Sequence, residues 1–377
     1  MTGPTSYSPT YSDMPLVCPK SIQFGSIIGR GNFCAVHNIT RFSQTKSMVG
    51  LHSKLPRKSM VDSVIDSFQC GEKSLNIFMN SKKVTDVLIS YSKASNHRRY
   101  YVAKVPHNGD IDTYKQCFDS LKVEAKILAS LNHENIIKIH GISKFGIFDH
   151  STNELDQKPY FIILDKLLGN LEETIANWRQ ASNQRKMIME KRSDRDESSE
   201  TIFLLKRLDI LFDIASALKY LHQKNIIHRD IKPDNIGFDA QGVVKIFDFG
   251  LAAKINSESK LGNGLYKLTG GTGTCRYMSP EVAKYKDYNE LIDTYSFGLL
   301  MWSVLSLQTP FVNYNCKQWY KNVIFGKKRP SLGNDSLSYI IPESVKGLMN
   351  CCWQDNIFLR PDFNIIEDEL RSNSCAW

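Results

Sequence analysis

The sequence predicts an α+β chain folded into two lobes, and three observations carry that expectation. The 377 residues exceed the size at which one hydrophobic core keeps growing, so two lobes, or one domain with insertions, are expected. Runs rich in β-branched and apolar residues and bounded by turn residues gather before about residue 166. They are IQFGSIIGRGNFCAVHNI around a glycine turn, YYVAKVP, 135–142 and 160–164, and they read as the strands of a small antiparallel sheet. Beyond that point helical periodicity takes over, through Leu205, Leu208, Phe212 and Leu218 in 202–221 and again in the apolar run TYSFGLLMWSVL from Thr294. The strand-rich part holds one main helix, from about Thr113 to Leu131, with Leu121, Ala125, Leu128 and Leu131 on one face.

Composition narrows the classes of function. The nine cysteines show no C-x-x-C spacing, and the one close pair, Cys351 and Cys352, is adjacent. Reduced thiols in a cytoplasmic setting, with the nucleus as a second compartment, are therefore expected. Residues 1–20 are rich in Ser, Thr, Pro and Tyr and lack a basic stretch followed by an apolar one, so they read as a flexible tail rather than a signal peptide. No apolar run approaches the ~18 residues that span a bilayer, and no membrane partner is expected. The formal charge of +9 raises nucleic acid as a partner, but His37 to Tyr101 holds 11 Lys and Arg against 4 Asp and Glu, which places +7 of the +9 in one segment. The rest is nearly balanced, so a general nucleic-acid face is not expected.

The chemistry concentrates in HRDIKPDNIGFDAQGVVKIFDFG, residues 228–250. Asp230 has the chemistry to accept the proton of an attacking hydroxyl, and Lys232 to offer positive charge to a transferring phosphoryl group. Asn235 and Asp248 are hard-oxygen ligands suited to Mg²⁺ that carries nucleotide phosphates. The apolar run of Val243, Val244, Ile246 and Phe247 leads into a loop closed by Gly250, which would hold Asp248 at a rigid edge. Upstream, Gly29-Arg30-Gly31 between two strands lets backbone N–H groups approach phosphates without a Cβ in the way. Lys104, on the strand YYVAKVP, has a candidate carboxylate partner 20 residues on, Glu124 in the main helix.

Taken together, HRDxKxxN, the DFG tripeptide 13 residues beyond Asn235, the glycine loop and the Lys104–Glu124 pair resemble the eukaryotic protein kinases. The resemblance covers about Ile22 to Leu370. It implies a bilobal kinase-like fold: a small antiparallel β-sheet N-lobe with one main helix over 21–166, and a larger, mainly α-helical C-lobe over 167–372, followed by a short tail at 373–377. ATP would sit between the lobes against Ile28, Gly29, Gly31, Asn32, Phe33, Val36, Val102 and Lys104, with Leu164 as gatekeeper and the backbone of Asp165 to Leu167 bonding adenine. Asp230, Lys232, Lys104, Glu124 and Thr274 would be catalytic, and Asn235 and Asp248 would hold the metal. Lys232 with Thr274 implies Ser/Thr acceptors on protein substrates. GTCRYMSPEV, DTYSFGLLMW and CCWxxxxxxRP are similar to the tyrosine-kinase-like group, where dual specificity also occurs.

Several departures from the pattern qualify the expectation. Cys34 stands where a third glycine would close the loop, which places a thiol near the phosphates. Val102 replaces the usual alanine of the adenine roof. Gly237 stands where a leucine would floor the adenine, with Phe238 as the candidate to compensate. Two insertions are expected, a basic Ser-rich one over about 37–98 with a short helix near Met60 to Phe68, and a charged, disordered one over about 177–200. The loop from Leu251 to Glu281 resembles an activation loop. Phosphorylation at Thr269 or Thr272, by an upstream kinase or by the chain itself, would order it through Arg229. Asp293, and Glu281 with Arg360, read as structural. The rival reading is a kinase-fold pseudoenzyme that serves as a scaffold.

Overall fold

The computed structural model of the protein describes residues 11–17, 19, 22–30, 34–42, 101–106, 111–143, 160–189, 197–333 and 341–375. Strands come first. A six-stranded sheet has the order β1-β5-β6-β4-β3-β2, built from β1 (Leu16–Val17), β2 (Ile22–Arg30), β3 (Cys34–Phe42), β4 (Tyr101–Pro106), β5 (Ile139–Ser143) and β6 (Ile162–Asp165). All pairings are antiparallel except β1 with β5, which is parallel. Helix α1 (Ile111–Ala129) lies against this sheet and buries Cys117, Leu121, Ala125 and Leu128, the i, i+4, i+8 and i+11 face that its periodicity marks.

The strand expected at 135–142 begins only at Ile139. Asn135 and Ile137 leave the sheet because their backbone bonds go to the C-lobe instead, with Ile137 N–H on the Ile246 carbonyl at 3.0 Å and Ile246 N–H on that of Asn135 at 2.8 Å. This crossing ties the lobes together.

The C-lobe is helical, with α2 (Leu171–Met189), α3 (Glu197–Gln223), the short α4 (Pro280–Ala283), α5 (Leu291–Ser306), α6 (Cys316–Trp319), α7 (Glu343–Cys352) and α8 (Phe363–Cys375). Between α3 and α4 lie the short strands β7 (Ile226–Ile227), β8 (Ile236–Phe238), β9 (Val244–Ile246) and β10 (Ala253–Lys254), paired β8 with β9 and β7 with β10. Helix α5 is buried on every side from Ile292 to Leu305, which is why its sequence is apolar with hardly any polar stripe. It stops at Leu307, whose φ of 58° is the left-handed turn that ends a helix. One continuous buried cluster runs from Leu121 and Leu128 through Ile136 and Ile246 to Leu208, Leu218, Phe297 and Leu300.

Three expectations about the flanking segments change. Residues 11–17 are not a loose tail: Tyr11–Asp13 form a helical turn, Met14 and Val17 are buried, and β1 joins the sheet. The basic insertion cannot begin at 37, because β3 continues to Phe42; its proposed helix at 60–68 lies outside the described residues. The charged run 177–200 is helical at 177–189 and 197–200. Arg, Gln, Ala, Lys, Met and Glu within it are good helix formers, and Trp178 anchors the start by meeting Phe203 edge-on at 5.5 Å.

Candidate active site

Lys104 reaches the cleft because β4 is a central strand, paired at that residue to Val36 on one side and Ile162 on the other. Its ammonium donates to Glu124 Oε2 at 2.7 Å and to Asp248 Oδ1 at 2.8 Å. Burial works against the charge on Lys104, but Glu124 and Asp248 outweigh it and hold the ammonium above its ordinary range. The same ammonium is the main reason that the Asp248 carboxyl is pulled below its usual value. Glu124 is 1% exposed, and burial pushes its carboxyl up against the pull of Lys104. Its second oxygen accepts the Phe249 N–H at 3.2 Å, and Ser120, one turn earlier on α1, donates to the Gly250 carbonyl at 3.1 Å. Helix α1 is thereby clamped to the loop that carries Asp248. That aspartate has a φ of 64°, a left-handed backbone that a non-glycine residue adopts only where its surroundings enforce it.

Asp230 anchors a second cluster on the loop between β7 and β8. Its Oδ1 accepts the Thr274 N–H at 2.8 Å, and its Oδ2 accepts Lys232 Nζ at 2.8 Å and Asn235 Nδ2 at 2.9 Å. Lys232 Nζ also donates to Thr274 Oγ1 at 2.6 Å. The loop is held from below by Asp293 of α5, which accepts the N–H groups of His228 (2.8 Å) and Arg229 (2.9 Å). Burial would raise the Asp293 carboxyl, yet the bond from His222 and its charge outweigh it and keep the group ionised. Phe249, fully buried, stands edge-on to His228 with ring centroids 4.8 Å apart, so the two clusters share one wall.

The donor set fits a hard divalent cation. Both Nδ2 hydrogens of Asn235 go to Asp230, to its carbonyl at 2.8 Å and its carboxylate at 2.9 Å, so Oδ1 is the atom that a cation would meet. Asp248 offers the ionised carboxylate. Among the described residues no group of three or more His, Cys, Asp and Glu side chains could hold a metal ion by itself, which suits an ion carried by nucleotide phosphates and held by one carboxylate and one amide.

The side expected to take adenine is where β4 meets β6, with buried Val102 directly opposite buried Leu164. Val36 pairs with Gly29 and is half-buried, and Ile28 is exposed. Gly31, Asn32 and Phe33 lie outside the described residues. In the hinge, Asp165 N–H is used by the Lys138 carbonyl and Leu168 N–H by that of Phe238, which brackets Leu167. The Asp165 carboxylate is braced by His140 Nε2 at 2.7 Å, a partner that no motif marked.

One expectation fails here for a steric reason. The space over Gly237 is filled by Leu167 and Phe247, not Phe238: a Cβ at 237 would stand 2.6 Å from Leu167 Cδ1 and 3.2 Å from Phe247 Cε1. Cys34 is buried where the charges of Lys104, Glu124 and Asp248 act on it, and burial pushes its thiol up to about 12, so what stands beside Lys104 is a neutral thiol. Arg229 directs Nε to the Leu251 carbonyl at 2.5 Å and Nη1 to the Tyr288 hydroxyl at 3.4 Å; Tyr288 in turn donates to the Thr269 carbonyl at 2.8 Å. The loop is therefore tied down through Arg229 without a phosphate.

Comparison with known proteins agrees with this geometry. The chain is 34% identical over 161 residues to the serine/threonine-protein kinase STY17 of Arabidopsis thaliana, covering 42% of this chain and 26% of that one. It is 28% identical over 267 residues to receptor-interacting serine/threonine-protein kinase 1 of Homo sapiens, covering 67% and 34%. It is 34% identical over 170 residues to the dual specificity protein kinase shkC of Dictyostelium discoideum, covering 44% and 32%. The matched region is thus between about a quarter and a third of each of these relatives. The family model described as protein kinase domain matches residues 87–369, and a lysine on β4 salt-bridged to both Glu124 of α1 and Asp248 beyond β9 is what that membership looks like in three dimensions: this chain belongs to the protein kinase domain family.

Proposed function

We propose that this chain is an ATP- and Mg²⁺-dependent protein kinase that transfers the γ-phosphoryl group to Ser and Thr hydroxyls of protein substrates. The observation that carries the reading is Lys104, paired at once with Glu124 and Asp248 while Asp230, Lys232, Asn235 and Thr274 are assembled across the cleft. A scaffold that had given up chemistry would have no need to hold both clusters together. The motif set and the serine/threonine kinases among the relatives favour the tyrosine-kinase-like group.

Each side chain then has a defined task. Lys104, oriented by Glu124, neutralises the nucleotide phosphates. Asp248 and Asn235 Oδ1 would hold Mg²⁺, which when bound offsets the charge of those phosphates. Asp230, already an acceptor for three donors, orients the acceptor hydroxyl and takes its proton. Lys232 bridges Asp230 and Thr274 and is placed to meet charge on the moving phosphoryl group. Positioning and electrostatics supply most of such catalysis.

The dual-specificity relative makes Tyr acceptors the second reading. Phosphorylation at exposed Thr269 or at Thr272 is a further proposal, and the Arg229 contacts mean that it would reinforce rather than create the loop order. On the cysteine pattern we place the protein in the cytoplasm, with the nucleus as a second compartment. The deciding experiment is phosphorylation of a degenerate Ser, Thr and Tyr peptide library by purified protein, beside Asp248→Ala. Transfer to Ser and Thr that is lost in the variant is expected; equal incorporation by both proteins, or none by the wild type in Mg²⁺ and ATP, overturns the reading.

A further inference from the structure

Residues 11–17 are built into the small lobe where they touch the helix that carries Glu124. The Tyr11–Asp13 turn contacts α1, and the Tyr11 hydroxyl lies 3.3 Å from that of Tyr160. Tyr160 is 4% exposed and meets Phe118 of α1 edge-on, centroids 4.9 Å apart at 72°. Met14, also buried, belongs to the same apolar cluster as Leu121, Ala125 and Leu128 of α1. At the other end the segment is fastened to the sheet: the Pro15 carbonyl takes the Ile142 N–H at 3.0 Å, and Leu16 and Val17 pair with Ile142 and Ser143. Gly141 makes room for this, since a Cβ there would stand 2.9 Å from Val17 Cγ2 and 3.0 Å from the Pro15 carbonyl oxygen.

The consequence follows from what α1 does. On its cleft side the helix is fixed by Ser120 to Gly250 and by Glu124 to Lys104 and the Phe249 N–H. Elsewhere it rests on β4 and β5 of the sheet, and at Phe118 it meets Tyr160 and the segment that leans on it. A helix that rests on a sheet can tilt on it, and a contact present in one orientation shifts the population toward that orientation. We infer that residues 11–17 are a positioning strap: Tyr11 and Met14, braced by β1 against β5, hold α1 in the orientation in which Glu124 reaches Lys104. This rests on the protein kinase reading for its effect on phosphoryl transfer, although the structural half stands without it.

Two full-length variants test it from opposite directions. Gly141→Ala presses on Val17 and Pro15, whereas the next atom, Ile163 Cδ1, lies at an ordinary 3.8 Å; Met14→Asp makes burial of the strap unfavourable from within. Neither touches Lys104, Glu124, Asp230 or Asp248. Amide hydrogen exchange of 111–129 is compared with that of α5, and kcat and KM for ATP are measured on the same samples. Both variants are expected to exchange at least about tenfold faster in 111–129 with α5 unchanged, and to lose at least about fivefold in kcat. Faster exchange confined to 11–17 and β5, equal loosening of α1 and α5, or an unchanged kcat with a loosened α1, each overturns the proposal. If Met14→Asp does not fold, Gly141→Ala decides alone. An inactive wild type would refute the kinase reading, and the exchange data would still show whether the strap holds α1.

Discussion

Leu167 occupies the space that a side chain on Gly237 would need, its Cδ1 standing 2.6 Å from where the Cβ would be. The space over Gly237 is thus filled by Leu167 and Phe247, which would floor the adenine on the proposed reading, and a bulky residue at 237 has no vacancy to enter. Gly237→Leu is expected to cost about 1–3 kcal/mol through overpacking and to raise KM for ATP. Leu167→Ala in the same molecule relieves the clash, so the two changes couple by at least about 0.5 kcal/mol. Urea unfolding and ATP titration of the four proteins in the cycle measure this; strict additivity would show that the two positions do not share the space.

Asp230 accepts from Thr274, Lys232 and Asn235 with its two oxygens, and an amide has only one oxygen to offer. Asp230→Asn is expected to lower kcat by about 10²–10⁴, the range for loss of a positioned general base. Nucleotide affinity should hold, since Lys104, Glu124 and Asp248 keep their contacts. Single-turnover phosphorylation beside binding of a fluorescent nucleotide separates the two; a parallel loss of both would move Asp230 from proton transfer to nucleotide binding.

Arg360 meets Glu281 with two parallel hydrogen bonds, donates Nε to the Gln354 carbonyl at 2.9 Å and Nη1 to the Leu291 carbonyl at 3.1 Å, and is itself buried. Removing it strands a buried carboxylate and two carbonyls. Arg360→Ala is expected to lose about 3–5 kcal/mol of C-lobe stability, whereas Arg360→Met with Glu281→Met, which leaves no orphaned charge, is expected to lose less. Chemical denaturation of both variants decides it.

What the sequence made legible, and what it hid, divides along physical lines. That Lys104 would meet Glu124, and Asn235 stand by Asp230, was legible from residue types at family-like separations, and the structure joins Lys104 to Glu124 and Asp248, and Asn235 to Asp230. Helices α1 and α5 were readable from their apolar pattern. Helix α3 was placed correctly, but its buried face runs through Leu204, Leu208 and Leu211, with Leu205 only half-buried. The strap was hidden because two buried residues, Met14 and Val17, carry it, too few to show a period. Helicity at 177–189 was hidden because the sequence there has no sustained apolar stripe. Gly237 announced a missing side chain, but that Leu167 fills the gap is a matter of tertiary packing that no local pattern encodes. The same holds for Arg229, whose partners, Leu251 and Tyr288, are set by how the loop lies across the lobe.

Asp213, on α3, is a carboxylate in an unfavourable place. Burial, with Asp209 and Glu134 adding repulsion, pushes its carboxyl from the ordinary 3.8 up to about 6, while Asn135 and Lys245 pull the other way. A folded value above the unfolded one means that the protonated form is favoured by folding. The stability it contributes is complete below about pH 3.8 and is lost as pH rises through about 6. At pH 7 the residue is therefore a net cost. Asp213→Asn, neutral at every pH and of nearly the same shape, is expected to stabilise the protein by roughly 1–2 kcal/mol at pH 7, discounted for partial exposure. That advantage should shrink below pH 6 and vanish near pH 4. Thermal unfolding of both proteins at pH 4, 5, 6 and 7 checks the sign directly: a gain independent of pH would trace the effect to packing, and a loss at pH 7 would mean that the charge on Asp213 is needed by Lys245 or Asn135.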